Sequence, residues 1–315
     1  MPTLFDDFMT AIKGTEKEFT KGNINRAIFM LSIPMILEMV MESLFAVVDI
    51  YFVGKIDTDA VATVGYTESV LTLIYAVSIG MSMAATAMIS RRIGEKKPEE
   101  ASDAAMQVII IGVSISIVIG LLGVFFAGDI LRLMGATDTV VANGINYTRI
   151  MFGGNIVIML LFLLNAIFRG AGDASIAMRS LWLANGLNII LDPILIFGWG
   201  PIPALGLPGA AIATNIGRGV GVLFQLSILL GGGSVIRILR QNIHVDWSII
   251  QKLLKVSAGG IWQFLIASGS WIVMMRIVSV FGSEIVAGYV FAIRIIIFTI
   301  LPSWGLANAA ATLVG

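Results

Sequence analysis

The chain alternates between long apolar runs and short polar connections. The apolar runs, each of 20 or more residues, fall at 27–50, 60–88, 105–127, 143–168, 175–198, 207–230, 256–281 and 286–314. A helix of about 20 apolar residues is long enough to cross the hydrocarbon core of a bilayer. The pattern therefore predicts eight transmembrane helices and an all-α integral membrane protein.

Composition supports a membrane protein and excludes several other classes. The 315 residues are 57% hydrophobic and 13% charged, with a mean hydropathy of +0.95, whereas soluble domains contain about 25% charged residues. The formal net charge is zero, which speaks against a nucleic-acid partner. With no cysteine and one histidine, His244, thiolate sites and histidine clusters are excluded.

No motif for covalent or phosphoryl chemistry is recognisable. A phosphate-binding loop would require Gly-Lys-Ser/Thr after a strand, and the sequence has none. No nucleophile–base pair stands out either. We therefore expect a protein that is not an enzyme and that uses no cofactor other than a coupling ion.

The basic residues are distributed asymmetrically. Fourteen of the 20 lie in the N-terminal tail, residues 1–26, and in alternate connections, one of which is assigned Arg169 and Arg179. The remaining connections contain only Lys55 and Arg132. Cytoplasmic loops carry the excess of Lys and Arg, so we expect a cytoplasmic N-terminus in the cell (inner or plasma) membrane. Apolar positions recur at helical spacing in the tail, which indicates either a short amphipathic helix on the membrane surface or a frayed terminus.

A weak internal repeat divides the chain. At an offset of 225 residues, Ser32, Gly80 and the pairs 61–62 and 84–85 meet identical residues. This places span 1 on span 7 and span 2 on span 8 in the same orientation, as parallel repeats require. We expect a six-helix amino-terminal lobe at 27–230, a cytoplasmic linker at 231–255 and the first two helices of a second lobe at 256–315. Since two complete units together need about 450 residues, we expect a chain truncated after the eighth of twelve helices. Its second lobe would be incomplete and would not transport.

Span 1 carries polar residues that a simple anchor would lack. Pro34, Glu38, Glu42 and Asp49 all lie within the apolar stretch 33–54. The three carboxylates fall within about 40° of one another on a helix. Each charge near the bilayer centre costs about 2.5–3.5 kcal/mol, so the stripe predicts a function in the membrane interior.

A second polar cluster lies in span 5. Asn185, Asn188 and Asp192 share one helix face, and Pro193 leaves the carbonyl of Ile189 without its helical partner. Carboxylates, amides and free carbonyls are hard oxygen donors that suit Na⁺ or H⁺. The alternative is structural, since buried amides also join membrane helices by hydrogen bonds.

Four arginines within the spans could neutralise some of these acids. The intramembrane arginines are Arg149, Arg218, Arg276 and Arg294, and the candidate acids are Glu38, Glu42, Asp49, Glu68 and Asp192. Which acid meets which arginine stays open at this point. At least one acid can remain unpaired, and such a group can take up and release protons as its exposure changes.

Several segments together resemble the multidrug and toxic compound extrusion (MATE) family. They are Pro34 and the stretches 47–54, 60–65, 188–193 and 209–214. The resemblance covers essentially the whole chain. It implies a family fold of twelve transmembrane helices in two six-helix lobes, and a cation-coupled antiporter.

The resemblance also assigns residues to a site. Asp49, Asn188, Asp192 and Thr214 match the amino-lobe cation site, and Pro34 matches a proline at which span 1 bends in some members. Gln263 stands where certain members place an acid, which argues against a second cation site. Glu38 and Glu42 depart from the family pattern. The candidates for the substrate cavity or for coupling are Pro34, Glu38, Glu42, Asn185 and Gln263.

The sequence leaves three hypotheses. The first is a multidrug efflux antiporter that exchanges Na⁺ or H⁺ for amphipathic, often cationic, organic compounds by alternating access. The second is a lipid-linked oligosaccharide flippase, which would need an arginine-rich cavity. The third is a membrane scaffold that transports nothing. For the first, the partners are small organic substrates and the lipid bilayer, and we expect a monomer.

Overall fold

The computed structural model describes residues 4–14 and 24–314, and its regular secondary structure is helical. Residues 15–23 of the predicted tail, with Lys17 and Lys21, lie outside those ranges. The α-helices are α1 (Leu4–Lys13), α2 (Ile24–Gly54), α3 (Thr58–Gly94), α4 (Pro98–Phe125), α5 (Ala127–Leu133), α6 (Asp138–Gly153), α7 (Asn155–Gly170), α8 (Ala174–Phe197), α9 (Leu207–Gly231), α10 (Trp247–Ser279) and α11 (Ser283–Val314).

The predicted count of eight helices is not reproduced helix for helix. The described residues form eleven α-helices, of which seven are long and apolar enough to span a membrane. The predicted fourth span is divided into α6 and α7, bent by 40°; counted as one span, this pair would make eight. Two further short helices add to the number. One is α1 in the tail, where the sequence indicated a short helix as one of two alternatives, and the other is α5, because periodicity near the end of an apolar run does not reveal where a helix breaks.

The break between α6 and α7 is stabilised by two asparagine side chains. Asn155 donates from Nδ2 to the carbonyls of Phe152 (2.6 Å) and Ser116 (3.0 Å). Asn215 of α9 donates to the carbonyl of Ile150 at 3.1 Å. Backbone carbonyls freed by a break inside a membrane need such partners. The break is therefore compatible with a position in the protein interior.

The amphipathic helix predicted in the tail is present as α1, which contacts both α2 and α8. Arg179 donates from Nη2 to the carbonyls of Ile12 (3.2 Å) and Lys13 (2.9 Å) at the end of α1. These carbonyls have no partner within their own helix. Arg179 lies within α8, whereas the sequence analysis counted it among the basic residues of a connection.

Two central helices organise the packing. The longest helix, α3, contacts α10, α7, α11, α4 and α6. Helix α7 is buried along nearly its whole length and contacts α3, α4, α8 and α9. On the other side of α3, helix α2 packs between α8 and α11. This arrangement brings the polar face of α2 against α7, α8 and α9.

The contacts between the two ends of the chain are reciprocal. A Cβ atom on Gly80 would lie 2.5 Å from the nitrogen of Ile261, and one on Gly305 would lie 2.7 Å from the nitrogen of Ile36. Each residue of the first contact is 225 positions from its counterpart in the second. Such an exchange of partners is the signature of a two-fold relationship. Gly80 and Gly305 allow the backbones of crossing helices to approach closely.

The connection between α9 and α10 is attached to α4. Gln107 of α4 donates from Nε2 to the carbonyl of His244 (2.8 Å) and accepts from the backbone nitrogen of Asp246 (3.1 Å). Asp103 accepts from Asn242 at 2.6 Å. Asp246 also caps the start of α10 by accepting from the nitrogen of Ser248 at 2.8 Å. This segment of the predicted linker is therefore held against the protein.

Candidate cation and substrate site

The four residues predicted to bind a cation are all buried. Asp49 lies on α2, Asn188 and Asp192 on α8, and Thr214 on α9; their exposed fractions are 5%, 2%, 0% and 7%. Asn188 donates from Nδ2 to Oγ1 of Thr214 at 3.1 Å. That bond joins α8 to α9. The amide nitrogen of Asn188 therefore has the structural role, joining two helices, that the sequence offered as the alternative to cation binding.

Three acceptor atoms of this group, all on α8, have no donor among the residues that the structure describes. They are the two carboxylate oxygens of Asp192 and Oδ1 of Asn188, all of them buried. An unsatisfied buried oxygen costs about 1–3 kcal/mol, and more where the group is charged. Three hard oxygen acceptors one helical turn apart on α8 fit a Na⁺ ion or a proton, which both supply positive charge.

Asp49 adds a second carboxylate without an ion pair in the part of the chain that the structure describes. Its negative charge repels that of Asp192. The positive charges of Arg294 and Arg218 also act on Asp49, although the hydrogen bonds of these arginines to acids go to Glu68 and Glu42. The two aspartates therefore differ from the glutamates of the same region, each of which has an arginine partner.

Glu38 is neutralised by a residue that the sequence placed in a cytoplasmic connection. Arg169, at the end of α7, donates from Nη1 to Oε1 of Glu38 at 2.9 Å. Asn165 donates to the same oxygen at 3.0 Å, and Gln225 of α9 donates to Asn165 at 2.6 Å. The chain of bonds joins α2, α7 and α9. The assignment of Arg169 to an exposed loop is wrong, because the last turn of α7 is buried.

Glu42 forms an ion pair with Arg218 of α9. Arg218 donates from Nη2 to Oε1 of Glu42 at 2.9 Å, and Asn185 donates to Oε2 at 2.8 Å. Asn185 therefore contacts Glu42 rather than completing the group formed by Asn188 and Asp192. The three residues share one face of α8, but Asn185 meets Glu42, Asn188 meets Thr214 and Asp192 has no hydrogen-bond partner among the described residues.

The remaining predicted residues are dispersed. Gln263 is exposed on α10, and no hydrogen bond within the described ranges joins it to the candidate site. Pro34 is buried inside α2, which continues through it as one helix. Arg276 donates to Ser279 of its own helix at 2.9 Å, and Arg149 is exposed on α6.

Sequence reasoning missed three buried polar residues near the site. They are Asn165, Arg169 and Gln225. Asn165 and Arg169 are four residues apart, and such a pair lies on one helix face, so their spacing near the end of a predicted span was an available signal. For Gln225, an uncharged residue in an apolar run, the sequence offered no comparable sign.

The site combines mixed oxygen donors rather than a cluster of acids. Within residues 4–14 and 24–314, no group of three or more His, Asp or Glu side chains is placed to hold a metal ion. The two aspartates, one amide and one hydroxyl match the donor types that bind a weakly held Na⁺. The arrangement suits reversible ion binding rather than a permanent metal centre.

Comparisons with known proteins agree with the all-α membrane fold. Residues 34–194 match the family model described as MatE. The multidrug export protein MepA of Staphylococcus aureus is 24% identical over 297 residues, which cover 94% of this chain and 65% of MepA. The probable multidrug resistance protein YoeA of Bacillus subtilis is 26% identical over 301 residues, covering 94% of this chain and 65% of YoeA.

A solved structure shows the same architecture. The outward-facing conformation of a multidrug resistance MATE family transporter of the MOP superfamily is 30% identical and superposes with a TM-score of 0.81. The superposition covers 93% of this chain and 64% of that structure. The chain thus spans about two thirds of the length of the proteins it matches.

Proposed function

The chain belongs to the MatE family, whose members are transporters rather than enzymes, and on that premise we propose that it acts in secondary active multidrug efflux. The protein would exchange Na⁺ or H⁺ for amphipathic, often cationic, organic compounds. The protein lies in the cell membrane with a cytoplasmic N-terminus and works as a monomer.

The observation that carries this proposal is the unpartnered state of Asp192. Its two buried oxygens and Oδ1 of Asn188, one turn earlier on α8, have no hydrogen-bond partner among the described residues, and its charge is opposed by that of Asp49. A buried carboxylate without an ion pair and close to a second one is unfavourable. A single cation or proton that enters this group offsets both the repulsion and the missing hydrogen bonds.

Coupling follows from the position of the acids on α2. Asp49 belongs to the same helix as Glu42, Glu38 and Pro34. A change of charge at Asp49 therefore acts on the helix that also carries the two glutamates paired with arginine. When the cation binds, α2 relaxes or bends at Pro34, and the cavity changes shape. The cation and the organic substrate then occupy it in turn, which is the requirement for exchange by alternating access.

The flippase alternative is less well supported by the contacts. A pocket for a lipid pyrophosphate requires several uncompensated basic groups. The buried arginines Arg169, Arg218 and Arg294 each pair with a glutamate. Their charges are therefore balanced, whereas the two aspartates provide the unbalanced charge of the site.

Transport in proteoliposomes tests the proposal against the expectation from the sequence that a chain with an incomplete second lobe does not transport. Efflux of a fluorescent organic cation is followed under a pure Na⁺ gradient and then under a pure pH gradient. We expect Asp49→Asn and Asp192→Asn to abolish gradient-driven efflux. The control is Asp129→Asn, since the Asp129 side chain is 69% exposed on α5 and pairs with Arg132 rather than with a residue of the cation site. Wild-type rates in both aspartate variants would reject the mechanism.

A further inference from the structure

The connection between α9 and α10 leaves its large apolar side chains uncovered. Ile243, Val245 and Trp247 stand at alternate positions, and their exposed fractions are 59%, 53% and 69%. The residues between them are tied to α4, because Gln107 bonds to the carbonyl of His244 and to the backbone nitrogen of Asp246. The backbone of this stretch is therefore fixed to the protein while three apolar side chains point away from it.

This arrangement is the reverse of what water favours in a polar connection. Burial of apolar surface drives folding, and contiguous apolar side chains that stay exposed mark sites of interaction with proteins or membranes. The bond from Asn242 to Asp103, together with the two bonds of Gln107, holds the connection in an orientation that prevents this burial. The uncovered side chains therefore indicate an apolar partner that the described residues do not supply.

The basic residues around this apolar surface have no acid partner. Arg240, Lys252 and Lys255 are exposed, and none of them forms an ion pair with the residues that the structure describes. Asp246, the acid in this part of the sequence, uses its carboxylate to cap the first turn of α10. Residues 239–256, the interfacial segment, thus combine uncompensated positive charge with exposed apolar side chains.

The connection between α3 and α4 has the opposite arrangement of charge. Arg91 pairs with Glu95 at 2.9 Å, and Lys97 pairs with Glu100 at 3.1 Å. Both connections lie at the same end of the helix bundle, since the beginning of α4 carries the bonds to the interfacial segment. The two connections therefore differ in the positive charge that they leave for a partner.

The position of the two lysines along α10 matches the headgroup layer of a bilayer. The apolar run of α10 begins at residue 256, and Lys252 and Lys255 precede it by four residues and one. At 1.5 Å per residue they lie within about 6 Å of the hydrocarbon, and the headgroup region on each side is about 5–8 Å thick. Anionic headgroups attract basic residues at this depth, and tryptophan, as at position 247, is enriched there.

We propose that the interfacial segment binds anionic phospholipids. The three basic side chains contact the headgroup, and the three exposed apolar side chains of the connection contact the upper part of the acyl chains. A lipid satisfies both kinds of surface at once and is present wherever α10 enters the membrane. The inference requires that the chain lies in a bilayer, and it does not require that the chain transports.

A single label in the interfacial segment tests the assignment. The chain has no cysteine, so Gln241→Cys, at an exposed position, accepts one environment-sensitive fluorophore. The labelled full chain in detergent is titrated with dioctanoyl phosphatidylglycerol, which is anionic, and with dioctanoyl phosphatidylcholine, which has the same acyl chains and no net charge. We expect tighter binding of phosphatidylglycerol and a loss of this preference at high salt. Glycerol phosphate, a charged group without acyl chains, should give no response.

Further variants separate charge from apolar contact. Lys252→Gln/Lys255→Gln should lower the ratio of the two lipid affinities about fivefold for each charge removed. Trp247→Ser should weaken both lipids and leave the ratio unchanged. The matched control is Lys96→Gln/Lys97→Gln in the α3–α4 connection, which should change neither affinity. All of these side chains are exposed, so we expect the variants to fold, and thermal unfolding checks that they do.

Four results would overturn the assignment. The first is equal affinity of the labelled parent protein for the two lipids, and the second is a preference that Lys252→Gln/Lys255→Gln leaves intact. The third is a response to glycerol phosphate equal to that for phosphatidylglycerol, which would indicate a site for free phosphate. The fourth is a label whose emission depends on protein concentration in the absence of lipid, which would indicate that a second copy of the chain covers the segment.

Discussion

Glu68 of α3 and Arg294 of α11 form an ion pair between helices that lie far apart in the sequence. Their side chains are 30% and 13% exposed. The pair connects a helix that precedes the α9–α10 connection with one that follows it. The charge of Arg294 also acts on Asp49, so the same arginine links the contact between α3 and α11 to the cation site.

Removal of one partner should weaken the contact between α3 and α11. In Glu68→Gln, Arg294 remains largely buried without its counter-ion, and we expect a loss of about 2–4 kcal/mol in the free energy of unfolding. Thermal unfolding in nanodiscs measures the effect. A double-mutant cycle with Arg294→Gln should give a coupling above about 1 kcal/mol.

The exposed pair of Asp129 and Arg132 is the matched control, for which Asp129→Asn should cost less than about 1 kcal/mol. Equal effects in the two pairs would contradict this expectation.

The unsatisfied carboxylate at the cation site predicts a gain in stability on its removal. Asp192→Asn eliminates a buried charge that has no protein partner. We expect the variant to be more stable than the wild type by about 1–3 kcal/mol when both are unfolded in buffer without Na⁺.

The same substitution should remove any stabilisation by Na⁺. For a site that binds only the folded state, a ligand at 100 times its Kd adds about 2.7 kcal/mol. The midpoint of thermal unfolding is compared in NaCl and in choline chloride at equal ionic strength. A destabilised Asp192→Asn protein, or one with an undiminished response to Na⁺, would show that Asp192 has a structural role instead.

The two glycines at the reciprocal helix crossings should respond alike to alanine. The added methyl group would lie 2.5 Å from a backbone nitrogen at Gly80 and 2.7 Å at Gly305, so the helices must separate. We expect each of Gly80→Ala and Gly305→Ala to lower stability by about 1–3 kcal/mol in a thermal unfolding measurement.

Gly259 of α10 provides the control for this pair, because a Cβ atom there would meet nothing within 4 Å. Gly259→Ala should be neutral, or stabilising by up to about 1 kcal/mol through helix propensity. A large loss at Gly259, or none at Gly80 and Gly305, would rule out close backbone packing as the reason for these glycines.

The attachment of the α9–α10 connection to α4 should depend on Gln107. This side chain is fully buried and satisfies two backbone groups of the connection. Gln107→Ala should increase the rate of amide hydrogen exchange at residues 240–247, consistent with a loss of about 1–3 kcal/mol in local stability. Ser114→Ala on the same helix is the control, since Ser114 is exposed and bonds only within α4. Unchanged exchange in the Gln107 variant would mean that other contacts hold the connection.

The distribution of polar residues along the chain was sufficient to predict its class and the helices that carry the site. Apolar length alone identifies spans, because each helix satisfies its own backbone inside a bilayer. Asp49 and Asp192 could be singled out for the same reason: an acid inside an apolar run is conspicuous whatever its neighbours are. Asn188 and Thr214, expected near them from the family resemblance, are joined by a hydrogen bond.

The partners of the acids could not be predicted from the sequence. Glu38 and Arg169 are 131 residues apart, and Glu68 and Arg294 are 226 apart. Nothing in local periodicity selects one arginine for one acid, because pairing depends on which helix faces meet. Arg169 was even assigned to the wrong environment, since charge in a connecting segment ordinarily indicates exposure.

The sequence by itself therefore determined an all-α membrane protein with buried acids on its first and fifth spans, because helix formation and membrane insertion depend on local composition. Only the tertiary structure decided that the glutamates are paired and that both aspartates are not. These properties depend on distances between helices, and the packing of α2 against α7, α8, α9 and α11 sets those distances.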